Sequence, residues 1–171
     1  PQLPDLLKTN IRAKRLLFTA NANIAYQAPD IIFLAVGTPM GRDHRADLSQ
    51  VRSAAKIIGQ TMKRPTVIAT KSTVPVGTAE IIRSTILRWQ RKPITFSVAS
   101  NPEFLREGSA VKDFLFPDRV IVGIDHQQAR EVMERLYRTT TSAERPLVIT
   151  DIRSAEVIKY EDFVKYGSEA A

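Results

Sequence analysis

Short runs of β-branched residues alternate along this chain with segments whose apolar residues recur every three or four positions, a pattern that parallel βαβ units produce. Residues 16–19 are a short first strand candidate. Residues 31–36 (Ile-Ile-Phe-Leu-Ala-Val) are uniformly apolar, as a strand buried on both faces should be, and Gly37-Thr38-Pro39 stops them because proline cannot donate to a ladder. Asp47 can cap a helix with Leu48, Val51, Ala55, Ile58 and Met62 on one face, ending near Lys63-Arg64-Pro65. The cycle repeats. Residues 66–70 are a strand, Pro75 and Gly77 mark a turn, and Ala79, Ile82, Ile86 and Trp89 form the next stripe, with Trp89 expected in the core and Pro93 closing the helix. Residues 94–99 are a strand broken by Asn101-Pro102, residues 103–114 hold a short helix before Pro117, and residues 119–124 are another strand. Asp125 can cap a helix carrying Ala129, Val132, Met133 and Leu136; residues 139–142 are a solvated loop and 147–150 the last strand. Asp151 begins a final helix with Val157, Tyr160 and Val164 on one side. The fold class expected is α/β, a parallel sheet of βαβ units with helices on both faces.

Composition narrows the chemistry. With 171 residues, 43% of them hydrophobic and 25% charged, the chain has room for one globular domain with a real core. It has no cysteine, which removes disulfides, thiolate nucleophiles and cysteine-ligated metals from the chemistry within these residues. Lys and Arg number 25 against 18 acids, a formal charge of +7, but they lie in twos and threes with few aromatics between them. That spread favours a small anionic ligand over nucleic acid. The longest apolar run is too short to span a bilayer and no leader-like segment opens the chain, so a soluble, cytoplasmic protein without membrane partners is expected. His44 and His126 stand in polar contexts without nucleophile motif or metal-ligand spacing, so no metal site is expected.

In doubly wound sheets ligands gather beyond the carboxyl ends of the strands. Three unusual loops follow such ends: Gly37-Thr38-Pro39-Met40, the run Lys71-Ser72-Thr73-Val74-Pro75-Val76-Gly77-Thr78, and Asn101-Pro102-Glu103-Phe104-Leu105-Arg106-Glu107-Gly108. Each combines proline with glycine, hydroxyl or amide groups, suited to close backbone approach and stiff placement of polar atoms. Taken singly, each loop also fits ordinary turn punctuation; three on one rim favour a site. Glu103 and Glu107 are four apart, so a helical segment would put both carboxylates on one face for acid–base or anchoring work, with a Ser72 or Thr73 hydroxyl as partner for positioning a water.

These loops, with residues 33–39, Asp113 and the Pro117-Asp118-Arg119-Val120-Ile121-Val122-Gly123 run, resemble the nucleotide-sugar 6-dehydrogenases, the UDP-glucose and GDP-mannose dehydrogenase family, in order and with compatible spacing over about residues 3–160. The wording is nearest to the family's UDP-glucose members. The resemblance implies an NAD-dependent oxidoreductase that oxidises the sugar C6 alcohol twice, through a cysteine-bound thiohemiacetal and thioester. It implies cofactor contacts from Val36, Gly37, Thr38, Pro39, Ser72, Thr73, Val74 and Glu107. By the same resemblance Glu103 is the acid–base residue, with the Thr73 hydroxyl close by, and Lys159 the cation that stabilises the oxyanion at C6. Phe104, Leu105 and Arg106, with Glu103 and Lys159, would line the nucleotide-sugar site.

The departures from the family pattern are as specific. No G-x-G-x-x-G turn occurs, the nucleophilic cysteine is absent, and Phe163 stands where the family has an asparagine. The expectation is therefore an internal piece: residues 1–150 as an incomplete NAD-binding Rossmann-type domain and 151–171 as the start of the central, dimerising helix. NAD binding is expected to be weak or lost and the isolated chain inactive. The rival reading is a non-catalytic binding or interaction module, or a complementing fragment. Without the opening βα unit the strand at residues 31–36 becomes a sheet edge, which implies a homo-oligomer through that edge, or an edge covered by residues 1–10.

Overall fold

A strand covered by helices on both sides has no wet face, and the two central strands of this sheet carry the residues that condition demands. The computed structural model describes residues 3–167 apart from Gln27, Asp43 and Glu107, with side chains described as far as Lys159. Strands β2 (Thr66–Thr70) and β3 (Phe96–Ser100) are buried at every position. They are flanked by β1 (Ile31–Leu34) on one side and by β4 (Val120–Ile124) and β5 (Leu147–Thr150) on the other, in the order β1-β2-β3-β4-β5. β1, β2 and β3 run parallel, as do β4 and β5. β3 and β4 are antiparallel, joined through Ala99 opposite Ile124 and Ser100 opposite Gly123. The sheet is thus mostly parallel, with one reversal that periodicity could not reveal, because both senses of pairing bury the same side chains.

Helices α3 (Ser49–Thr61) and α4 (Thr78–Trp89) cover one face, where Val51, Ala55, Ile58, Ile82 and Ile86 meet Ile32, Leu34, Ile68 and Val98. α7 (Ile152–Gly167) begins on the same face, with Ile152 packed against that cluster. The opposite face is covered by α6 (Gln127–Tyr137), whose Ala129, Met133 and Tyr137 pack on Val67, Ala69, Ala99, Val120 and Val122. The expected cap at Asp151 forms, its Oδ1 accepting the Ser154 N–H at 2.9 Å; Leu48 is the residue that precedes α3, and Asp47 sits one position earlier with its Oδ1 accepting the Ser49 N–H at 2.8 Å.

Several expectations are corrected. Residues 16–19 form no strand; Leu17 and Phe18 are exposed, and no strand of the described sheet pairs with them. Two helices precede β1 instead, α1 (Leu3–Arg12), which buries none of its residues, and the single turn α2 (Ala22–Ala25). β1 ends at Leu34, two residues early, because the Leu34 carbonyl already accepts the N–H groups of Lys71 and Ser72. At the sheet edge β1 alternates half-buried and buried positions and is not buried throughout. Trp89 is 38% exposed, with the Lys56 ammonium 4.1 Å from its ring centre. Asp125 pairs with Arg83 and His126 is the residue that precedes α6. Leu136 and Val157 are exposed, and α7 turns Ala155 and Glu156 inward. The side chains of Tyr160, Phe163 and Val164 lie outside the described residues.

Candidate functional site

Because β1, β2 and β3 are parallel, the loops that follow them share one rim. The first two are stitched together. Ser72 Oγ donates to the Val36 carbonyl at 2.6 Å, and Thr38 Oγ1 donates to the Thr73 carbonyl at 2.7 Å. The hydroxyls of Thr38 and Ser72 are therefore committed to backbone carbonyls, which fixes the rim. Gly37 and Pro39 stand exposed beside them, Val36 and Thr73 are half-buried, and Val74 turns down into the core.

The third loop meets α7. Lys159 Nζ lies 3.2 Å from Glu103 Oε1, also donates to the Glu103 backbone carbonyl, and stands 5.2 Å from the centre of the Phe104 ring. The other carboxylate oxygen of Glu103 accepts the Leu105 N–H at 2.6 Å. Arg106 binds Asp113 through two guanidinium contacts, at 2.8 and 3.2 Å, and its own N–H donates to the same carboxylate at 3.0 Å. Arg106, helped by the Ser109 hydroxyl, holds the Asp113 carboxyl well below the usual range. A cavity of about 630 Å³ opens between this loop, α7 and the segment before β4, lined among others by Glu103, Phe104, Leu105, Arg106, Arg119 and Lys159.

Five residues proposed for one site thus line one cavity. Other parts of the picture are corrected. Residues 101–106 are not helical, the nearby helix being α5 (Ala110–Leu115), so Glu103 is not on a helical face; Glu107 lies outside the described residues. The Ser72 hydroxyl is bonded to Val36, and the partners of Glu103 are Lys159 and Leu105 rather than a hydroxyl of the second loop.

The structure gives roles to residues that sequence reasoning named only as loop members, Lys71 and Asn101, or not at all, Tyr137. Asn101, fully buried, accepts from Tyr137 Oη at 2.5 Å and from Lys71 Nζ at 3.3 Å on its Oδ1, and its Nδ2 donates to the Ile121 carbonyl at 2.8 Å. This network anchors Lys71, another cavity-lining residue, at the end of β2. Burial pushes the Lys71 amine down to about 8; the Glu103 charge opposes that shift and the Lys159 charge adds to it. Burial also pushes the Tyr137 phenol up to about 12, against its hydrogen bond to Asn101. A lysine directly after a buried strand, ahead of Ser-Thr, was the one available signal for Lys71. Nothing local pointed to Tyr137, which lies 36 residues beyond Asn101.

The cavity therefore combines a paired carboxylate and ammonium, further cations in Lys71, Lys112 and Arg119, and an apolar wall from Phe104. Such a surface suits an anion with a less polar body. Among the described residues no group of three or more His, Cys, Asp or Glu side chains could hold a metal ion.

Comparison with known proteins follows the same lines. Residues 1–141 match the NAD-binding domain of the UDP-glucose/GDP-mannose dehydrogenase family. The chain is 45% identical over 160 residues to the UDP-glucose 6-dehydrogenase YwqF of Bacillus subtilis, covering 94% of this chain and 36% of that protein. It is equally 45% identical over 163 residues to a UDP-glucose 6-dehydrogenase of Rhizobium meliloti, covering 94% and 37%. It therefore spans little more than a third of the length of these relatives. Among solved structures, a UDP-glucose dehydrogenase from Pyrobaculum islandicum superposes with a TM-score of 0.90 at 37% identity, over 96% of this chain and 38% of that one. A GDP-mannose dehydrogenase from Pseudomonas aeruginosa gives 0.92 at 29% identity, over 99% and 40%. With the sheet, the loop rim and the family match in agreement, this chain belongs to the UDP-glucose/GDP-mannose dehydrogenase family and carries sequence of its NAD-binding domain.

Proposed function

We propose that this chain is the later part of the cofactor domain of an NAD-dependent nucleotide-sugar 6-dehydrogenase acting on a UDP-glucose-type substrate, with residues 1–150 as that part and 151–171 as the start of a central helix. The observation that carries the reading is the Glu103–Lys159 pair in the lining of a cation-rich cavity. In the roles the family resemblance suggests, Lys159 presents its ammonium to the oxygen at the sugar C6, where negative charge develops during acyl chemistry. Glu103, held by that same lysine and by the Leu105 N–H, takes or returns a proton on a water, with Thr73 on the adjoining loop. Phe104, Leu105 and Arg106 form the wall against which the nucleotide sugar lies.

The stitched rim of residues 36–39 and 72–74 suits the nicotinamide half of a dinucleotide: it is pinned by two hydroxyl-to-carbonyl bonds, carries no charged side chain and leaves Gly37 exposed. Val36, Gly37, Thr38, Pro39, Ser72, Thr73 and Val74 would hold NAD there, with Glu107 as a further contact. NAD when bound supplies the hydride acceptor. The chain contains no G-x-G-x-x-G turn for the pyrophosphate, so binding should be in roughly the millimolar range, about −4 kcal/mol. It contains no thiolate either, so these residues alone should not complete the double oxidation.

We place the protein in the cytoplasm and infer pairing of two copies along the β1 edge, where Ile31 and Phe33 are only half-buried. Light scattering of the wild type and of Phe33→Lys tests the pairing, and a wild-type monomer at high concentration would end it. Calorimetric titration of UDP-glucose and of NAD tests the function. UDP-glucose binding that Lys159→Met abolishes is the expected result. Absence of binding to either ligand would favour a non-catalytic module or a complementing fragment.

A further inference from the structure

Glu156 is 2% exposed and belongs to none of the loops that line the cavity. Its Oε2 accepts the Gly77 N–H at 2.8 Å and its Oε1 accepts the Ala79 N–H at 3.0 Å. Both donors lie at the start of α4, where N–H groups have no partner within the helix and a negative charge is favoured. Desolvation pushes this carboxyl up, and the two N–H groups pull it back. The contact joins residues 77 and 79 positions apart and fills the far end of the loop at residues 72–78.

Lys159 follows Glu156 by three positions, so the two side chains lie on neighbouring points of one helical face. One turn of α7 therefore grips two loops, that of residues 72–78 through Glu156 and that of residues 101–106 through Lys159. The helix itself cannot drift toward the sheet: a Cβ on Gly123 would stand 2.7 Å from the Ala155 Cβ, the Asp151 carbonyl oxygen and the Ile152 Cα. A second tie at the same junction, Arg153 Nε to Glu80 Oε1 at 3.1 Å, is exposed and so contributes little.

We propose that Glu156 is a positioning residue: by clamping α7 to the start of α4 it registers Lys159, and the Glu103 that Lys159 holds, against the loop that carries Ser72 and Thr73. The relevance of that register to catalysis rests on the function proposed above, whereas the register itself does not. If Glu156 were only a cap for α4, its loss would be felt at Gly77 and Ala79 and no further.

Native-state amide exchange followed by NMR on the full chain, without ligand, separates the two. The Leu105 amide is the distant reporter, since it donates to the Glu103 carboxylate that Lys159 holds. Glu156→Gln should raise exchange about tenfold at Gly77 and Ala79 and about threefold or more at Leu105, with amides of β2 and β3 unchanged. Arg153→Ala, which cuts the exposed tie and leaves the clamp, should change none of them. Faster exchange at Gly77 and Ala79 with Leu105 at the wild-type rate would overturn the proposal, as would an equal rise at every amide. Should Glu156→Gln fail to fold, Glu156→Asp, which keeps the charge but reaches less far, is read by the same criterion. Failure of UDP-glucose to bind the wild type would overturn the functional reading and leave this result standing.

Discussion

The first and last long helices of the chain invert what apolar patterning alone would rank. α1 carries Leu3, Leu6, Leu7 and Ile11 at spacings of three and four, yet buries none of them among the described residues. α7 has a poor apolar stripe, and its inward residues are a small Ala155 and a charged Glu156. It is nonetheless the better fixed, by a backbone-close approach to β4 at Gly123, a carboxylate clamp on α4 and an ammonium on Glu103. Apolar periodicity stabilises a helix only where a complementary surface exists to cover it. Where the surface is supplied by a glycine and two free N–H groups, very little apolar area is needed.

The contrast can be broken at its strongest point. Gly123→Ala places a methyl group 2.7 Å from backbone atoms of α7, and should cost about 1–3 kcal/mol in urea unfolding while displacing that helix. If stability is unchanged, α7 is not held by that approach. Removing the hidden support of the cavity comes next: Asn101→Ala strands the Tyr137 hydroxyl and the Ile121 carbonyl, each worth about 1–3 kcal/mol when left unsatisfied. Here the phenol should also titrate differently by ultraviolet absorbance, since the bond that lowers it is lost while the burial that raises it remains.

A gentler probe uses pH. Lys71 releases its proton at about 8 in the folded chain and at the ordinary lysine value near 10.5 when unfolded. Unfolding then takes up a proton between those values, so stability from this group rises with pH through that window. Denaturant titrations between about pH 7.5 and 9.5 should show the rise, and Lys71→Met should flatten it. Lys159→Met removes a like charge and frees Glu103, so the window should move upward. A slope indifferent to both substitutions would separate Lys71 from the α7 cavity. The smallest effect belongs to α1, where Leu6→Ser should change stability by less than about 0.5 kcal/mol. A larger loss would mean that α1 is covered in solution.

Most of the central architecture was legible from periodicity: β2 and β5 begin and end where the pattern places them, and the faces of α3 and α4 carry the expected Val51, Ala55, Ile58, Ile82 and Ile86. The errors fall where a neighbour decides the outcome. Residues 16–19 read as a strand because β propensity is local, but a strand needs a partner to take its hydrogen bonds, and among the described residues no strand of the sheet offers one there. Trp89 extends the α4 stripe by one step but ends part-exposed, with the Lys56 ammonium over its ring. In and around the cavity, residues 103–106 and Lys159 took their roles from family wording, Lys71 and Asn101 were named only as members of the loops, and Tyr137 and Glu156 were not singled out.

What the sequence by itself determined is local and additive: hydrophobic period, proline and glycine stops, the cap at Asp151, and the three loops at strand ends. The tertiary structure alone decided the reversed pairing of β3 and β4, the meeting of Glu103 with Lys159 across 56 positions, and the insertion of Glu156 beneath α4. The reason is the range of the forces involved. Burial of apolar area and backbone preference act over neighbours along the chain and leave a periodic trace. A hydrogen bond between distant groups depends on a few tenths of an ångström set by every element between them, and leaves no trace in the spacing of either residue.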